Sequence, residues 1–101
     1  MIYGFDIDGT ICTTDCDYSE AKPYLEVIAK INALFEEGHT IIVFTSRGYK
    51  SGKDWYDFTK KQLDQWGVKY HMLFLGKPAG DVYIDDKAMR DIDFFSQMEK
   101  L

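Results

Sequence analysis

The chain has 101 residues, 46% of them apolar, with seven Tyr, seven Phe and two Trp. That composition points to one globular domain over residues 1–101 and excludes a disordered or repetitive segment. The net charge of −5 disfavours a nucleic-acid module driven by phosphate contacts, and no run of about 18 apolar residues is present to cross a membrane. The first residues read as a strand, not as a charged-then-apolar leader, so the expected location is the cytoplasm. Cys12 and Cys16 are too few for a disulfide framework and lack a second Cys/His pair for zinc, so both are expected as free thiols.

In chain order, Ile2-Tyr3-Gly4-Phe5 reads as a buried strand, and Asp6 and Asp8 follow where it gives way to a loop at Gly9. Residues 11–21 are polar and aperiodic, hence a loop. Pro23 suits the first turn of a helix. Leu25, Ile28, Ala29, Asn32 and Phe35 then recur at helical spacing, with Ile31 and Leu34 widening the stripe until Gly38 ends it. Thr-Ile-Ile-Val-Phe-Thr at 40–45 is near-continuously β-branched and aromatic, as a central parallel strand buried on both faces would be. Residues 46–53 form a basic, glycine-containing loop. Asp54 can cap a second helix that carries Trp55, Phe58, Thr59, Leu63 and Trp66 on one side and closes at Gly67.

A third apolar stretch begins at Val68, and Asp81-Val82-Tyr83-Ile84 reads as a fourth strand leading into Asp85-Asp86. A parallel crossover needs about a dozen residues. The spacing therefore predicts a short third strand near 69–73, with 73–80 crossing the sheet end as an extended loop and Lys77 in its middle. A last helix over roughly 92–100 presents Phe94, Phe95 and Met98. The alternation predicts an α/β fold: a doubly wound, Rossmann-like, mainly parallel sheet of about four strands in the order 3-2-1-4.

Four polar features then fall at or beyond the carboxyl ends of strands: Asp6/Asp8, Thr45/Ser46, Lys77 and Asp85/Asp86. Ligands of open α/β sheets bind at that edge. Two acids with no nearby base are costly unless a cation lies between them. Each feature alone would pass for a turn, a cap or a solvated charge; the set in one order at one edge is specific.

In that set the chain resembles the haloacid dehalogenase (HAD) superfamily, which carries a DxDGT segment, a strand-terminal Thr/Ser, a Lys and a terminal acid pair in the same order. Here they are Asp6-Ile7-Asp8-Gly9-Thr10, Thr45, Lys77 and Asp85-Asp86. The resemblance implies a Mg2+-dependent phosphomonoester hydrolase. Asp6 would be the nucleophile that forms an aspartyl phosphate, and Asp8 would protonate the leaving oxygen and then activate water. Thr45 would donate to the phosphoryl oxygens, and Lys77 would neutralise the phosphate and hold Asp6 ionised. Gly9, Thr10, Ser46 and Arg47 would line the substrate. Mg2+ would take Asp6, Asp8 through its backbone carbonyl, Asp85 and Asp86 as oxygen ligands. An acid at position 8 favours phosphate over carbon–halogen chemistry. With about ten loop residues after the first motif and no room for an insert later, this is a capless arrangement whose site is open unless another subunit covers it.

Substrate contacts are expected from Thr13, Thr14 and Tyr18 in one loop and from Arg47, Lys50 and Lys53 in the other, whose charge suits an anionic or hydroxyl-rich leaving group. A sugar phosphate is preferred, ahead of a nucleotide or polynucleotide end-phosphate; a phosphotransferase would use the same parts. The partner is then a small phosphoester, with neither membrane nor nucleic acid, and the 16% aromatic content is compatible with a homo-oligomer. Two other classes compete. A receiver-type phosphoacceptor places its acid pair early and its Lys last, the reverse of this order. A non-catalytic metal-binding regulatory domain would not need the full set of turnover residues.

Overall fold

A computed structural model of the chain describes residues 1–99. Strand β1 (Ile2–Asp6), helix α1 (Leu25–Glu36), strand β2 (Thr40–Thr45), helix α2 (Tyr56–Gln65), strand β3 (Met72–Leu75) and helix α3 (Asp91–Glu99) follow in that order. The long loop after β1 contains a single 3-10 turn, Tyr18–Glu20. The strands form one parallel sheet in the order β1-β2-β3, with Tyr3 opposite Ile41, Phe5 opposite Val43 and Val43 opposite Leu73. No helix of the described residues is long and apolar enough to cross a membrane.

The alternation of side chains along a strand divides the sheet into two unlike faces. Phe5, Ile41, Val43 and Leu73 are buried on one face with Ile28, Ile31 and Leu34 of α1, Leu63 of α2 and Phe95 of α3. Phe5 stacks on Phe95, with ring centroids 5.9 Å apart. Fully burying an Ile such as Ile31 or Ile41 stabilises by about 1.5–3 kcal/mol, so this face holds the fold together. On the other face Ile2, Met72 and Phe74 are exposed, and the ammonium of Lys77 lies 5.0 Å from the Phe44 ring.

The observed elements depart from the expected ones at four points. The third strand spans Met72–Leu75, starting three residues and ending two residues later than 69–73, although the His71 amide just before it already donates to the Ile41 carbonyl of β2. The fourth strand does not form; residues 81–84 pair with no strand, Val82 and Ile84 are exposed, and the order 3-2-1-4 gives way to a three-stranded sheet. Thus β2 is central as expected, but one of its faces is only partly covered. The last helix begins at Asp91, and of its expected span residue 100 lies outside the described residues.

Candidate active site

Because all three strands are parallel, their carboxyl ends share one edge. Asp6 is the last residue of β1, Thr45 the last of β2, and Lys77 stands two residues after β3. The amides of Gly76 and Lys77 both donate to the Thr45 carbonyl (3.2 and 3.3 Å), which turns the chain back across β2 and brings Lys77 towards β1. Its Nζ reaches Asp6 Oδ1 at 3.4 Å, while the Tyr83 ring centroid, 4.4 Å away, covers the ammonium. Burial raises the Asp6 pKa above its ordinary value of 3.8; the Lys77 charge and hydrogen bond and the Ile7 amide act in the opposite direction. Asp6 is thus a partly desolvated carboxylate with a single counter-cation.

Asp8, two residues on, has a different environment. Gly9 at φ +87° reverses the chain in a conformation that side chains disfavour, and the amides of Thr10 and Ile11 donate to the Ile7 carbonyl. The reversal aims Asp8 at Arg47. Nε of Arg47 donates to Asp8 Oδ2 at 3.0 Å and Nη2 donates to Oδ1 at 2.8 Å, a bidentate pair. Nη1 donates to Gln62 Oε1 at 2.8 Å and Thr59 Oγ1 at 3.3 Å. Gln62 in turn donates to the Tyr18 carbonyl, and the guanidinium lies 4.4 Å from the Tyr18 ring centroid. Arg47 is only 3% exposed.

This network reassigns several expected residues. Arg47 is enclosed and its guanidinium is engaged by Asp8, Thr59 and Gln62 instead of facing open space. Thr45 is 1% exposed, donates to Asp8 Oδ2 at 3.5 Å and accepts the Arg47 amide at 3.1 Å, so its hydroxyl faces the Asp8 cluster instead of open space. Gly9, Thr10 and Ser46 are half-buried around it. Cys12 adds a thiol donor to Asp8 Oδ1 at 3.6 Å; burial, with Asp8 beside it, pushes that thiol up to about 12, so it stays protonated and inert. Both cysteines are free, as expected. Sequence reasoning missed Gln62 and Thr59 as parts of the cluster. The available signal was their polarity on the side of α2 shared with Leu63.

Asp85 and Asp86 are not brought to the other acids. Both are exposed, and the Asp85 pKa is lowered by hydrogen bonds from Asp86 and from the Lys87 amide. Among the described residues no three His, Cys, Asp or Glu converge on a point that would hold a metal ion. The donors named for Mg2+ suit that ion in kind, being all hard oxygens. In this arrangement they do not suit it in place.

The fold and the edge define a small parallel α/β protein with an acid–lysine pair at the carboxyl ends of its strands. No family model matches the chain, and no curated protein matches it. It is similar in structure to an MCSG target from Vibrio cholerae known from a crystal structure, with a TM-score of 0.84 at 24% identity, over 98% of this chain and 94% of that one. That likeness shows the fold.

Proposed function

We propose that the protein is a phosphomonoester hydrolase that works through a phosphorylated Asp6. The observation that carries this reading is the Asp6–Lys77 pair: a partly desolvated carboxylate at the ligand-binding edge of a parallel sheet, one ammonium 3.4 Å away. Desolvation strengthens the carboxylate as a nucleophile, and Lys77 both keeps it ionised and attracts a phosphate. In the first step an Asp6 oxygen bonds to phosphorus as the bond from phosphorus to the alcohol oxygen breaks. Asp8 gives that oxygen its proton. Asp8 then takes a proton from water, whose oxygen attacks phosphorus, releasing inorganic phosphate and free Asp6. For Asp8 to hold a proton, one of its two Arg47 contacts must open.

The HAD resemblance of Asp6-x-Asp8-Gly9-Thr10 adds Mg2+ and a capless, doubly wound relative of that superfamily to the proposal. Bound Mg2+ would offset the repulsion between phosphate and carboxylate. Asp6, the Asp8 carbonyl, Asp85 and Asp86 would hold it, the acid pair moving in from its exposed position.

The test is steady phosphate release from a panel of small phosphomonoesters in Mg2+. The wild-type chain is expected to turn over at least one of them, and Asp6→Asn to lower kcat by about 10^4-fold or more with the fold unchanged by circular dichroism. Silence across the panel, or an active Asp6→Asn variant, overturns the reading.

A further inference from the structure

A cavity of about 290 Å3 lies between the loop after β2 and the end of β3, where the chain runs into Lys77. Gly48, Tyr49, Lys53, Trp55, Leu75 and Gly76 line it, with Arg47 at its inner wall. Gly76 immediately precedes Lys77, and both hang from the Thr45 carbonyl. The cavity wall and the reactive pair therefore share one anchor.

The loop that forms it is built, not slack. The Tyr49 amide donates to the Ser46 carbonyl at 2.9 Å, Gly52 to the Gly48 carbonyl at 2.8 Å, and Lys53 to Ser51 Oγ at 3.2 Å. Gly48 has φ +84°, and a Cβ there would stand 2.2 Å from the Lys53 carbonyl oxygen. This closure holds Lys53 in place, with its ammonium 4.3 Å from the Trp55 ring centroid. Trp55 is braced in turn by Tyr18, edge-on at 4.8 Å.

Charge accounting then separates Lys53 from the other cations of the site. Arg47 is neutralised by Asp8 and Lys77 by Asp6. Lys53 makes no ion pair among the described residues. The one acid on the cavity wall, Asp54, accepts the Tyr56 amide at 2.9 Å and so serves the start of α2. Lys53 is exposed, and its ammonium, resting on an aromatic face at the edge of a concave site with no ion pair of its own, is placed to meet an anion from outside. The volume, at the low end of the about 300–1,000 Å3 of small-molecule sites, admits one monosaccharide-sized group. Tyr49, 55% exposed, offers an aromatic surface beside it.

The geometry points to a leaving-group subsite that selects phosphomonoesters carrying a second anionic group, a carboxylate or a second phosphate, read by Lys53. This rests on the hydrolase reading above and names its substrate class. The test compares kcat/KM within two matched pairs: 6-phosphogluconate against glucose 6-phosphate for a carboxylate, and fructose 1,6-bisphosphate against fructose 6-phosphate for a phosphate. In at least one pair the member with the second anionic group is expected to lead by about tenfold or more, mainly through KM. Lys53→Gln should bring that ratio towards one, and Lys53→Arg should restore it. Equal kcat/KM within both pairs, or a preference that survives Lys53→Gln, overturns the subsite. Tryptophan fluorescence titration with the same four compounds separates the two proposals. Binding of the compounds with the second anionic group that is lost in Lys53→Gln, without phosphate release, keeps Lys53 as an anion site and defeats the hydrolase reading. Turnover with no such preference does the reverse.

Discussion

Asp6 and Asp8 are two residues apart and of the same type, yet their surroundings give them different chemistry. Burial favours the neutral form of Asp6 and Lys77 favours the charged form, with burial the larger effect. A nucleophile must be ionised, so the acidic limb of the kcat/KM profile is expected above the ordinary carboxylate value of 3.8. Lys77→Met removes the opposing influence, and the limb should move to still higher pH; a limb that stays put or moves down would disconnect Lys77 from Asp6. Their common edge was legible in the sequence, because a strand-terminal acid and a lysine beyond a later strand fall at one end of a parallel sheet; their direct pairing was implied only by the resemblance. The Arg47 cluster was not. Arg47 stands in a basic loop that reads as a source of substrate contacts, and what encloses it comes from Tyr18 and from Thr59 and Gln62, distant in sequence.

Among the elements, β2 and the two helices that flank it were readable because each carries its own evidence: a β-branched run, an apolar stripe, a terminal glycine. Helix α1 buries Ile28, Ile31 and Leu34 as the stripe predicted, although Leu25 at its start is 69% exposed. Val82-Tyr83-Ile84 has the residue types of a strand but only a short crossing before it, and strand propensity without a pairing partner fixes nothing. The 46–55 loop is the element whose shape depends most on one residue. Gly48→Ala would combine a positive φ with a Cβ pressed on the Lys53 carbonyl. Its expected cost is about 1–3 kcal/mol, read as a lowered denaturation midpoint at unchanged m-value. A neutral substitution would mean that the loop is not closed in the manner described.

At the scale of the whole molecule, an open edge on β1 and an exposed acid pair belong to one question. Asp6 sits at the end of that edge strand, and Asp85-Asp86 follow the unpaired apolar residues 82–84. If Mg2+ draws the acid pair to Asp6, it must pull on the segment whose Tyr83 already covers Lys77, so metal binding would tighten that segment as well as complete a site. A ligand that binds only the folded protein stabilises it by RT ln(1 + [L]/Kd), about 1.4 kcal/mol at ten times Kd. For a domain of this size each kcal/mol is worth roughly 4–8 °C in Tm. Mg2+ at ten times its Kd is therefore expected to raise Tm by about 6–11 °C, with a gain in amide exchange protection over 81–86. The double variant Asp85→Asn/Asp86→Asn should lose both effects. A Tm indifferent to Mg2+, or a rise undiminished in the double variant, would remove Asp85 and Asp86 from the metal site and leave Asp6 and Lys77 to account for the chemistry alone.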